Sequence, residues 1–115
     1  MIEAELFAHL KDNVLSVSER VYPLILPKGC KKPALVYSIV IDNDKRSMSE
    51  GGTFNVTRAQ IDVYADTHEE SVQIKNEVKA ALYSFEHHVF NVNTTSMFEE
   101  EFELFRQLID FNIRS

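Results

Sequence analysis

Residues 59–70 read Ala59-Gln60-Ile61-Asp62-Val63-Tyr64-Ala65-Asp66-Thr67-His68-Glu69-Glu70, and the two halves of this stretch obey different rules. In the first half Ala59, Ile61, Val63 and Ala65 share one parity, while Gln60, Asp62 and Tyr64 share the other. That alternation belongs to a strand with one dry face and one polar face. In the second half the hydroxyl of Thr67 stands three residues before the carboxylate of Glu70. This is the spacing of a capping box, in which two side chains satisfy amides left without partners by the first helical turn. The acids also fall where the helix dipole is positive. A strand that hands over to a helix within two residues sets the expectation of a domain with α and β layers.

Downstream of this handover Ile74, Val78, Ala81, Leu82 and Phe85 form one apolar stripe at helical spacing. Val72 falls off that stripe and is expected to be exposed, which makes it a candidate subunit contact. Two strands follow, roughly His88 to Thr95 and Leu104 to Ile113. In the second, Phe105, Ile109, Phe111 and Ile113 alternate with Arg106, Asp110 and Asn112. Between them Met97 to Glu103 mixes acids with aromatic anchors.

Upstream the strand begins at Thr53, but Phe54 and Val56 have the opposite parity from Ala59 onward. This predicts a bulge or break near Thr57-Arg58. The polar stretch Asp42 to Gly52 ends in two glycines and predicts a long mobile hairpin loop. Its length exceeds what a turn requires, so it is a candidate arm, with Lys45, Arg46 and Met48 as anchors. Pro33 to Asp42 places Leu35, Tyr37, Ile39 and Ile41 on one face and Val36 and Val40 on the other, the pattern of a central strand covered on both sides. Arg20 to Pro27 is extended, and its prolines suit a sheet edge. At the start Ile2, Leu6, Phe7, Leu10, Val14 and Val17 make the apolar face of an amphipathic helix. The order α-β-β-β-α-β-β predicts an α+β fold for residues 1–115 as one domain. Its antiparallel-dominated mixed sheet has four or five strands, and both helices pack on one face.

Composition limits the function classes. The chain has 115 residues, 44% of them hydrophobic, enough for one core without staples. Its 18 acids against 12 bases give a net charge of -6, which disfavours binding driven by phosphate neutralisation and favours a protein partner. An acidic N-terminus and the lack of a long apolar run predict a protein made in the cytoplasm, without a membrane role. One cysteine, Cys30, excludes an internal disulfide and reads as a loop residue.

The chemistry is sparse. His87-His88 lacks Cys or His at ligand spacing, and strand alternation would divide the pair between faces, so no metal site is expected. Asp42, Asp44 and Glu50 lack the spacing of a calcium loop. The acids Glu99, Glu100, Glu101 and Glu103 read as a wet face with no nucleophile or oxyanion donor nearby. No phosphate-binding glycine loop or nucleophile elbow occurs. The expectation is a protein that is not an enzyme and takes no cofactor.

Several segments together resemble a family of phage tail-completion proteins. They are the N-terminal helix, Arg20-Val21-Tyr22-Pro23 with Pro27, Pro33-Ala34-Leu35-Val36-Tyr37, Ala59 to Ala65, Val78-Lys79-Ala80-Ala81-Leu82, and the closing Phe105 to Ile113. The resemblance spans nearly the whole chain and implies kinship with the lambda-type tail terminator and with head-tail joining proteins. It implies a hexameric ring that caps the tail tube at the head-proximal end of the virion, with the tube protein and a head-tail connector as partners and a phage or prophage as the source. A different neck or head-completion protein is the nearest alternative, and a small α+β enzyme a more distant one.

Overall fold

The computed structural model describes residues 2–18, 20–46, 53–101 and 103–114, with the backbone alone for 2, 41–46 and 53–55. The elements are α1 (Ile2–Asn13), a 3-10 turn (Leu15–Val17), β1 (Val21–Pro23), β2 (Ala34–Arg46), β3 (Thr53–Ala65), α2 (His68–Tyr83), β4 (His88–Glu99) and β5 (Leu104–Arg114). The five strands form one sheet in the order β1-β2-β3-β5-β4. Only β1 and β2 run parallel, and the other three pairs are antiparallel. The α+β class, the element order and the placement of both helices on one face are as the sequence predicts.

The Thr67 half of the capping box is formed at the handover, where the Glu70 amide donates to the Thr67 hydroxyl at 3.2 Å. The α2 stripe Ile74, Val78, Ala81 and Leu82 then lies buried over β3 and β5. From the sheet Ala59, Ile61 and Val63 meet it, opposite Phe111, Ile109 and Gln107 on β5. Helix α1 packs beside α2, and its Leu6 and Leu10, with Val14 and Val17 just beyond, are fully buried. His9 fastens the two helices, because its Nε2 lies 2.6 Å from the Ala81 carbonyl in the last turn of α2, an oxygen that also accepts from the amide and hydroxyl of Ser84. Ser16 adds a hydroxyl bond to Glu77.

Gln107, like Thr57, is a polar residue on the buried face of the sheet, 1% exposed. Its amide donates to the Ser71 hydroxyl at 3.2 Å, and its carbonyl accepts from the Ser96 hydroxyl at 2.8 Å. The burial is tolerable because both ends of the amide are used.

Five sequence expectations change. The bulge lies on β2, where Val40 is the extra residue between the pairs Ile39–Ala59 and Ile41–Arg58. Strand β3 is continuous, and Thr57, 1% exposed, stays on the same face as Ala59. The parity argument located the irregular pair but attributed it to the wrong strand, since either partner can carry the extra residue. Val40 itself is 44% exposed rather than covered, because the bulge turns it out of the ladder.

The predicted loop from Asp42 is also shortened. Asp42 to Arg46 pair with Thr57 to Thr53 as ladder, and residues 47–52 lie outside the described residues. Backbone pairing recruited polar residues that side-chain pattern alone assigned to a loop. Likewise Met97, Phe98 and Glu99 belong to β4, opposite Arg106, Phe105 and Leu104. Finally Val72 is half-buried on α2 rather than exposed.

Replacing Ile61, fully buried beneath both helices, tests where the core is centred. Ile61→Ala is expected to lower unfolding stability by about 2–5 kcal/mol, read as a fall in the urea midpoint with little change in slope.

Candidate assembly surface

With one sheet face buried, the other is open, and its strands place side chains there at alternate positions. Across it run Tyr64 and Arg106, Asp62 and Leu108, Gln60 and Asp110, and Arg58 and Asn112, paired between β3 and β5. Charges on this face are matched. Arg106 Nε donates to Asp62 Oδ1 at 2.8 Å and its Nη1 to Glu99 Oε1 at 2.9 Å, while the guanidinium lies 5.6 Å from the centre of the Tyr64 ring. One arginine therefore joins β3, β5 and β4. Its burial opposes the charge, but the bonds to Asp62 and Glu99 outweigh this and hold its pKa above the ordinary arginine value. Arg58 makes a two-pronged pair with Asp110, at 3.1 and 2.7 Å. Farther along, His88 stacks on Phe90, and Arg114 sits over the Phe90 ring.

The ladder of β2 and β3 outruns the rest of the sheet. The last pair between β3 and β5 is Val56–Arg114, whereas β2 and β3 continue through Asn55–Asp44, Phe54–Lys45 and Thr53–Arg46. A two-stranded arm thus projects past the end of β5. Lys45 and Arg46 are in its final ladder pairs, and Met48 lies outside the described residues. Val72 lies on α2 rather than on the arm. The structure brings Lys45 and Arg46 together and leaves Val72 apart from them.

A cleft of about 410 Å³ lies where α2 meets β4, lined by Leu82, Tyr83, Phe85, Glu86, His87, His88 and Val89. At its rim His87 Nε2 approaches Glu5 Oε2 at 2.6 Å and Glu86 Oε1 at 3.9 Å. The donor atoms of Glu5, Glu86 and His87 lie within 4.8 Å of one another. Sequence reading missed this meeting because Glu5 comes from α1, far along the chain. The lining holds no Ser, Thr, Cys or Lys to serve as a nucleophile. Cys30 is half-buried just after the turn containing Gly29, whose φ of 74° suits glycine.

No protein-family model matches the chain. No curated protein matches it in sequence. Its fold is similar to that of a chain in a solved structure of the virion of a native gene transfer agent (GTA) particle, with a TM-score of 0.62 and 15% sequence identity. The likeness covers 98% of this chain and 92% of that one. At that identity it is a likeness of fold.

Two predictions concern the charge pairs of the open face and two tyrosines, Tyr64 on that face and Tyr37 in the core. Arg106→Ala would leave Asp62, 8% exposed, without its partner, and is expected to cost about 1–3 kcal/mol in chemical denaturation. Arg58→Ala, whose pair is in solvent, is expected to cost less. Burial, aided by Glu3, pushes the Tyr37 phenol up, and burial with Asp62 does the same to Tyr64 against the opposing effect of Arg106. Folded pKa values above the unfolded one mean that the native state holds more protons, so this contribution is complete below about pH 10 and is lost as pH rises through the folded values. Alkaline titration of the denaturation midpoint should therefore show a decline that Tyr64→Phe makes shallower.

Proposed function

We propose that this chain is a structural protein of a phage-like virion, a tail-completion subunit that forms a ring on the tail tube. The ring ends tube polymerisation and presents the surface that joins the head. The carrying observation is the similarity of fold, over nearly the full length of both chains, to a chain of a gene transfer agent virion. The segment-by-segment resemblance to tail-completion proteins narrows that reading from virion protein to tube cap. A ring subunit needs two different surfaces that close by rotation, and it needs no active site.

The projecting arm of β2 and β3 supports the same reading. It has a ladder stem and carries Lys45 and Arg46 in its final pairs, as a contact to a neighbouring subunit or the tube would require, with Met48 two residues on in the sequence. Val72 contributes to subunit contact through α2. In this reading the protein is not an enzyme, takes no cofactor, and works at the head-proximal end of the tail, with the tube protein and the head-tail connector as partners.

Electron microscopy of particles lacking this gene tests the proposal. Tails of uncontrolled length are the expected outcome for a cap, and finished tails lying apart from filled heads would place the chain among head-tail joining proteins instead. Normal, joined and infectious virions would overturn the virion role. Deleting residues 45–50 should leave the isolated domain folded by circular dichroism while reducing tail completion as severely as gene loss.

A further inference from the structure

Among the described residues the sheet has two long backbone edges without strand partners, on opposite sides. On one side β1 covers β2 only from Leu35 to Tyr37, so Ser38 to Arg46 have no described strand on their outer side. On the other side the whole of β4 is an edge. Soluble proteins commonly protect such edges with lysine, proline, bulges or short strands. Strand β4 has one bulge, between Phe90 and Asn93, with Asn91 at a φ of 54°. Beyond it Asn93 to Glu99 pair regularly with β5, and Asn93-Thr94-Thr95-Ser96-Met97-Phe98 contains neither a charge nor a proline. Thr94, Thr95, Ser96 and Phe98 are exposed. This is a regular, uncharged strand edge with its main-chain donors and acceptors available.

We infer that the β4 edge of one copy pairs with the free β2 edge of the next, so that the ring of the proposed tail cap is closed by a sheet continuous from subunit to subunit. Strand directions fit this arrangement. Across the sheet β2 and β3 are antiparallel, as are β3 and β5, and β5 and β4, so β2 and β4 of one copy point opposite ways. A neighbour generated by rotation about an axis along the strands therefore sets its β2 antiparallel to this β4. Two different edges joined head to tail repeat until the rotation closes. Pairing β4 with β4 about a two-fold axis would leave both β2 edges open. Pairing β2 with β2 would bring together two edges that each carry Asp42, Asp44, Lys45 and Arg46, whereas the β4 segment is neutral. The occupant that uses both edges is a second copy of this chain.

The inference rests on the ring reading, and its test is separable from particle morphology. The full chain is examined by native mass spectrometry and amide exchange up to about 1 mM, where weak protein contacts become populated. One closed multimer should appear, with amides in 38–46 and 93–98 exchanging at least about tenfold more slowly than in dilute monomer. Neighbouring residues of a strand point their amides to opposite sides, so of Thr94→Pro and Thr95→Pro one removes a bond to β5 and the other a donor of the open edge. The first should lower the melting temperature. The second should keep it and remain monomeric.

A monomer at every concentration, a dimer protected only on β4, or multimers with unchanged exchange at both edges would overturn the inference. So would protection that appears only when tail-tube protein is added, or two proline variants that both assemble like the parent. If both variants unfold, the exchange pattern of the parent decides. Normal virions without the gene would defeat the capping role whatever the solution multimer shows.

Discussion

Helix α2 covers one face of the ladder formed by β3 and β5, with α1 packed beside it, and this one-sided burial fixes most of what the chain does elsewhere. Ala59, Ile61, Ile109 and Phe111 must face α2 together, and since strand side chains alternate, their neighbours Gln60, Asp62, Asp110 and Asn112 must face away. Strand register is thereby set without help from the loops. The His9 contact with the Ala81 carbonyl and the Ser16 bond to Glu77 hold α1 against α2, which keeps the cover in place over the sheet.

The open face then has to be stable in contact with water. It is kept so by matched charges rather than by apolar cover, with Arg106 spanning three strands and Arg58 paired to Asp110. Such a face has few uncommitted charges among its described residues with which to attract nucleic acid. The strand edges and the arm lie at the margins of this face, where backbone groups rather than paired charges are presented.

Much of this architecture was legible in the sequence. The alternation in Ala59 to Ala65, the capping box at Thr67 and the stripe from Ile74 to Phe85 are local patterns with one reading each, and they decided class and layer order. The extents of β2 and β4 were less legible, because Asp42 to Arg46 and Met97 to Glu99 are in strands through pairing with distant segments, which no local pattern records. The bulge at Val40 was assigned to the opposite strand for a related reason, since a parity slip belongs to a pair. Of the candidate contacts, Lys45 and Arg46 were chosen from the polarity of a predicted loop and lie instead in the ladder of β2, while the meeting of Glu5 with His87 needed α1 to come beside the segment that enters β4. The unpaired edges of β2 and β4 had no sequence signal apart from the neutrality of residues 93–98.

The ladder that outruns β5 also constrains how this molecule could vary over evolutionary time. Adding one residue to each strand of the arm would lengthen it but leave its final ladder pair facing the opposite side of the ribbon. Only insertions of two residues per strand, four in all, would extend the reach by about 7 Å while preserving its aim. Changes in the reach of the arm would then proceed in discrete jumps, whereas a deletion of Val40 alone, by removing the bulge, would alter the bend and twist at the arm's root while leaving its cross-strand pairs and their faces as they are.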